Sequence, residues 1–281
     1  MVESISELRK ICQTKYRRIS RSEFIHRAIS IYITKLVLGT SISANQITVL
    51  DFVVGLVAVI LISFTNIFIT FAGLFLLLLW AVLDCVDGEV ARYRGTVSVM
   101  GQYLDCLSST AIVPVLFMSL TFRLYGAFHD ITVFIFGFSA SLGHLLFLLI
   151  AYNMYVSAGK IHIRSKKLGI PPKEIGYTGD VGIDKIQSQV NSTSHFVYDI
   201  INFFLPGPAT GFPFIITATF IFDSVIPRVA VGHFVFNSLY LCLAAYGVLM
   251  PITCLVLTYT IIKDDLPEKL SLSLFGRNET T

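Results

Sequence analysis

The sequence predicts an all-α fold: a polytopic membrane helix bundle with six transmembrane helices and an N-terminal amphipathic helix on the membrane surface. Three observations carry this expectation. Hydrophobic residues make up 54% of the 281 residues and charged ones only 14%, against roughly a quarter charged in a soluble domain. The apolar residues fall in blocks near the ~20 residues needed to cross a hydrocarbon core. The lysines and arginines gather between alternate blocks, as the positive-inside bias requires.

Residues 1–44 are basic, and the first thirty hold Arg9, Lys10, Lys15, Arg17, Arg18, Arg21 and Arg27 with no apolar run between them, so they are not expected to be a secretory signal. Ile25, Ile29, Ile31, Leu36 and Leu38 lie among these charges, the pattern of a helix lying on a membrane. Six apolar stretches follow: Ile47–Phe64, Ile67–Leu83, Leu104–Leu120, Ile131–Tyr155, Phe212–Ile226 and Val229–Ile262. The fifth is short and carries Asp223; the sixth is long enough to tilt, or to break near Pro251. With six spans, 19 of the 21 Lys and Arg fall on the side of both termini, leaving Arg123 and Arg228 opposite. That places both termini and the connection at Arg92 and Arg94 in the cytoplasm.

The longest connection, 158–208, opens with the basic cluster His162, Arg164, Lys166 and Lys167, read as ordinary positive-inside charge. It turns Gly/Pro-rich, with room for a short interfacial helix around Asp199–Phe204. The sequons at Asn191 and Asn278 would both be cytoplasmic and are read as chance matches. There is no internal repeat, so the expected organisation is a juxtamembrane segment (1–44), a six-span domain (45–263) and a cytoplasmic tail (264–281). Five cysteines, Cys12, Cys85, Cys106, Cys242 and Cys254, form no C-x-x-C pair and read as small buried fillers. His144 reads as a hydrogen-bonded core histidine, and Asn237 as a residue that can bond across the bundle.

The chemistry concentrates in residues 84–109, DCVDGEVARYRGTVSVMGQYLDCLSS. An ionisable residue at a membrane span is a functional-site hypothesis by default. Asp84, Asp87 and Ala91 share one helical face, with Gly88 on the same side; Gly101, Asp105 and Ser109 share another. A turn between Arg92 and Gly101 would set the two helices antiparallel, so that the three carboxylates converge. Three anions in a low-dielectric pocket need cations, and hard oxygen ligands favour Mg²⁺ or Mn²⁺, two of which could clamp a pyrophosphate. Arg92 alone cannot neutralise three carboxylates. Glu89 falls about 100° off this face and is expected in solvent.

The spacing resembles the signature of the CDP-alcohol phosphotransferase family, D-x2-D-G-x2-A-R-x8-G-x3-D-x3-D. Asp84, Asp87, Gly88, Ala91, Arg92, Gly101 and Asp105 match it position by position, and Ser109 replaces the last aspartate. Upstream, Ser43-Ala44-Asn45-Gln46-Ile47-Thr48 is similar to the family's T-P-N-x-I-T entry to the first span. The resemblance implies a membrane enzyme that moves a substituted phosphate from a CDP-linked donor to an alcohol or lipid acceptor and releases CMP, in phospholipid or polar-headgroup synthesis. It implies that Asp84, Asp87 and Asp105 are catalytic and bind the divalent metals. It implies that Gly88, Ala91 and Gly101 make room for the cytidine, that Arg92 lies near the nucleotide, and that Asn45 closes the pocket. The partners implied are the donor, the acceptor, membrane lipids and a second copy of the chain, and not nucleic acid.

The departure at Ser109 is chemical. A hydroxyl is not a base near pH 7, and general-base assistance is worth roughly 10²–10⁴ in rate. Three readings stand: a transferase whose acceptor loses its proton elsewhere, a catalytically weakened CDP-alcohol-binding paralogue with a regulatory role, or another aspartate-rich membrane protein. Cys106 and Ser108 are expected on other faces of the helix, and Glu174, Asp180, Asp184 and Asp199 are loop candidates.

Overall fold

The computed structural model describes residues 3–13, 21–168, 204–208, 210–225, 229–231, 234–263 and 266. Among these are α1 (Ile5–Cys12), α2 (Arg21–Leu38), α3 (Ala44–Ser63), α4 (Ile67–Arg94), α5 (Val99–Phe128) and α6 (Thr132–Leu168). After these come α7 (Phe212–Val225), strands β1 (Val229–Val231) and β2 (Phe234–Phe236), and α8 (Ser238–Lys263). Five helical segments are long and apolar enough to cross a membrane: α3, α4, α5, Thr132–Met154 of α6, and α8.

Two expectations are corrected here. The fifth stretch is a helix of only 14 residues; at 1.5 Å per residue it reaches about 21 Å, short of a ~30 Å core. The sixth span does not start at Val229. Residues Val229–Val231 pair antiparallel with Phe234–Phe236, Val229 opposite Phe236, and helix resumes only at Ser238. Val and Phe favour strand, and a short apolar run reads the same in either conformation. Among the described residues the fold is therefore helical apart from one short pair of strands. Among the same residues the side chain of Asn237 bonds locally and not across the bundle: its Oδ1 accepts the Tyr240 N–H at 2.8 Å and caps α8. That helix runs unbroken through Pro251.

The chain divides into two compact units, Met1–Leu142 with His195–Val248, and Gly143–Ser194 with Leu249–Thr281. In the first, α3 is the common neighbour of α4 and α5, and α1 and α2 pack against α4. Its core holds Trp80, Leu77, Ile112, Leu116 and Phe117, all fully buried, with Phe117, Phe212 and Tyr246 forming a triangle of rings 5.2–5.4 Å apart. Apolar side chains such as Ile60, Phe75, Phe122 and Phe138 are exposed on the outside of the helices, as expected where lipid is the solvent. Arg123 donates to the carbonyls of Ile62 and Phe64 and to the Thr70 hydroxyl and lies over the Phe220 ring.

In the second unit, Gly143 lies so close to Met250 that a Cβ would come within 2.7 Å of it, and the Cys254 thiol donates to the Gly143 carbonyl at 3.1 Å. His144 is buried, but among the described residues neither ring nitrogen has a hydrogen-bond partner, contrary to the expectation of a bonded core histidine. The basic cluster His162–Lys167 lies on the continuation of α6 and not in a loop. Glu174, Asp180, Asp184, the sequons and nearly all of the expected interfacial helix lie outside the described residues. Of the cysteines, Cys12, Cys85 and Cys254 are buried fillers as expected, whereas Cys106 is exposed.

Helix α2 is amphipathic in an unexpected sense. Its buried stripe is polar, with Ser22, His26, Ser30 and Thr34 four residues apart, while Phe24, Ile25, Ile29, Tyr32 and Leu36 are exposed. A helix lying at the edge of a bundle in lipid can turn its apolar face outward, and this one turns its polar face onto α4.

Candidate active site

The entry sequence and the aspartate segment meet at one end of α3. Ser43 starts that helix with a reciprocal cap: its hydroxyl accepts the Gln46 N–H at 3.3 Å, and the Gln46 side chain accepts the Ser43 N–H at 2.8 Å. The absence of proline at Ala44 is thereby offset, since the capping box itself sets the start. One turn on, the Thr48 hydroxyl donates to Asp87 Oδ2 at 2.6 Å. Helix α4 ends at Gly95, whose φ of 63° is the left-handed conformation glycine tolerates. Ser98 then caps α5, accepting the Gly101 N–H at 3.0 Å. The short turn expected between Arg92 and Gly101 is present.

The structure brings the three predicted aspartates into one neighbourhood. The carboxyls of Asp84 and Asp105 lie in hydrogen-bonding contact, with Asp87 within electrostatic range of both. The small residues are small for a visible reason. A Cβ on Gly101 would come within 3.1 Å of the Asn45 side-chain oxygen, and one on Gly88 within 3.1 Å of the Arg92 guanidinium. Asn45 with Gly101, and Arg92 with Gly88, are thus paired in space. Arg92 also donates from Nε to the Cys12 carbonyl at 2.5 Å, which ties α1 to the motif. Ala91 is half-buried on the same helix.

A fourth carboxylate was not singled out in the sequence. Asp51 of α3 is 1% exposed and lies within electrostatic range of Asp84, Asp87 and Asp105. Its Oδ2 accepts the Ser108 hydroxyl at 2.7 Å, and its Oδ1 has no hydrogen-bond partner among the described residues. The Trp80 indole N–H points at the same Ser108 oxygen, 3.4 Å away. Ser108 therefore faces the site's own carboxylates rather than lying apart from them. Ser109 does not: its hydroxyl donates back to the Asp105 and Cys106 carbonyls of its own helix, at 3.4 and 3.2 Å. The signal that could have found Asp51 is its place one turn beyond Thr48, inside an otherwise apolar span.

Glu89 corrects the sequence reading. It is not in solvent but fully buried. It accepts hydrogen bonds from Gln13 Nε2 at 2.8 Å, Ser30 Oγ at 2.7 Å and Thr34 Oγ1 at 2.6 Å. The face of α4 that looks away from the aspartates is covered by α1 and α2, so no solvent-facing side exists there.

Among the described residues, no group of three or more His, Cys, Asp or Glu stands in the arrangement of a formed metal site. The donor set nevertheless fits a hard divalent cation. It consists of carboxylate oxygens gathered at one place, one of them buried without a partner, a condition that costs free energy unless a cation or donor meets it.

Fold and motif together define a membrane-embedded enzyme of the phosphotransferase kind. The CDP-alcohol phosphatidyltransferase family model matches residues 41–197, more than half of the chain, and the chain belongs to that family; it is a CDP-alcohol phosphotransferase. None of the curated proteins matches it.

Proposed function

We propose that this enzyme transfers a phosphoalcohol or phosphatidyl group from a CDP-linked donor to an alcohol or lipid hydroxyl, with release of CMP, in phospholipid or polar-headgroup synthesis. The observation that carries this reading is the convergence of Asp84, Asp87 and Asp105 beside Gly88 and Gly101. In the step, the acceptor oxygen forms a new P–O bond to the donor phosphorus, the P–O bond of the pyrophosphate breaks, CMP departs with that electron pair, and the acceptor proton passes to a base or to water. When bound, Mg²⁺ or Mn²⁺ would supply charge neutralisation at the pyrophosphate. Asp84, Asp87 and Asp105 would hold it, and Thr48 fixes the orientation of Asp87. Gly88 and Gly101 leave room for the cytidine, while Arg92 and Asn45 border that space. The charge asymmetry supports an active site at the cytoplasmic face, and the family resemblance supports a homodimer.

A second reading, a CDP-alcohol-binding paralogue with weak transfer, is favoured by one observation: the Ser109 hydroxyl is turned onto its own helix, where the family pattern has a base. The test is CMP release by the purified full chain in lipid nanodiscs across a panel of CDP-alcohols and lipids, with products identified by mass spectrometry. A transferase gives CMP and a new phosphodiester only with Mg²⁺ or Mn²⁺, and Asp105→Asn lowers the rate by more than about 10²-fold, the scale for removing a preorganised electrostatic group. Turnover that persists in EDTA contradicts the metal-dependent reading. Donor binding without any CMP release selects the paralogue.

A further inference from the structure

We propose that Asp51 supplies the fourth carboxylate of the divalent-cation site, replacing from α3 the carboxylate that α5 lacks at Ser109. This rests on the metal-dependent reading above.

Four facts place it there. Asp51 and Thr48 are three residues apart and share a face of α3; Thr48 reaches α4 at Asp87 and Asp51 reaches α5 at Ser108. Ser108 is the immediate neighbour of Ser109, so the Asp51 carboxylate arrives at the level of α5 where the family pattern puts its last aspartate. Asp51 is within electrostatic range of the three motif carboxylates. Finally, Oδ1 is buried with no hydrogen-bond partner among the described residues while Oδ2 is fixed by Ser108. One oxygen is thus oriented by a neutral donor and the other is left with its lone pairs unused, the arrangement expected of an acidic ligand whose partner is a cation.

A merely structural aspartate in this position would be expected to have both oxygens met by donors, because a buried unmet acceptor costs about 1–3 kcal/mol. Asp51 differs from a metal-remote buried acid in that respect and in having three further carboxyls within electrostatic range.

The test is Mn²⁺ titration of the full chain in nanodiscs, followed by electron paramagnetic resonance, with no donor present. Asp51→Asn, the same size without the charge, is expected to weaken Mn²⁺ binding at least tenfold. Asp51→Cys, which offers a soft ligand in the same place, is expected to shift preference from Mn²⁺ towards Cd²⁺ by tenfold or more. Mn²⁺ affinity in Asp51→Asn equal to that of the unaltered chain overturns the proposal, as does an unchanged Cd²⁺/Mn²⁺ ratio in Asp51→Cys. Asp84→Asn separates the two levels. If it abolishes Mn²⁺ binding while Asp51→Asn does not, the transferase reading stands and the role of Asp51 falls. If the unaltered chain takes up no Mn²⁺, the metal-dependent reading falls first.

Discussion

The pockets around Glu89 and Asp51 lie on different faces of the same helical core, and both bury a carboxylate almost completely, at 0% and 1% exposure. Around Glu89 every contact is complementary: an amide and two hydroxyls from α2 and the end of α1 donate to its two oxygens. Around Asp51 the Ser108 hydroxyl donates with the Trp80 indole N–H close behind it, and the other neighbours that interact with it include three more carboxyls. A buried acid surrounded by donors holds a fold together. A buried acid surrounded by acids, with an oxygen left over, is built for something that arrives later. The difference separates structure from function more cleanly than burial does.

The largest effect that would break this contrast is on folding. Glu89→Ala would strand the two buried hydroxyls of Ser30 and Thr34, each worth about 1–3 kcal/mol. It is expected to lower the melting temperature in nanodiscs severely and to release α1 and α2 to proteolysis, with Glu89→Gln intermediate. Asp51→Asn is expected to act in the opposite direction in metal-free protein, raising the melting temperature, because it relieves the crowding of four carboxyls. A fall in both variants would mean that the two acids do the same job.

A smaller effect concerns the position of the fourth carboxylate. Ser109→Asp, placed in the Asp51→Asn background, is expected to recover at least half of the lost Mn²⁺ affinity in logarithmic terms and to raise CMP release above that of the single variant. No recovery would mean that α3 and α5 cannot exchange this role.

The smallest concerns the polar stripe of α2, where His26 is buried, stacked on Phe214 at 4.8 Å, and among the described residues without a partner for either ring nitrogen. Burial pushes its imidazole down to about 4, below the ~6.5 of an unfolded chain. A depressed histidine contributes stability above its unfolded value, and that contribution is lost as pH falls from about 6.5 towards 4. The melting temperature should therefore decline over that window, and His26→Phe should flatten the decline. A slope unchanged by the substitution would remove His26 from the account.

Much of this was legible in the sequence, for physical reasons that also explain the misses. The long helices follow from apolar blocks, and the aspartate segment from a spacing that only a two-helix site requires. Glu89 was misplaced because helical periodicity on α4 shows which residues share a face but not what covers the opposite one. The stripe of Ser22, His26, Ser30 and Thr34 carries that information, since four polar residues at a four-residue interval need a polar partner. Asp51 has no second carboxylate in its own span, only Thr48 one turn before it; the acids it meets lie on α4 and α5, and proximity across helices is not written in local pattern. The hairpin at Val229–Phe236 was hidden because hydropathy does not separate a short strand from the start of a helix.

Trp80 is the only tryptophan in the chain. It is fully buried, and its indole N–H points at the hydroxyl that holds Asp51. The protein thus carries its own optical probe one hydrogen bond from the carboxylate cluster, with no second indole to dilute the signal. Occupation of the site by a cation or a nucleotide should register in the ultraviolet emission of the unlabelled protein, before any product is formed.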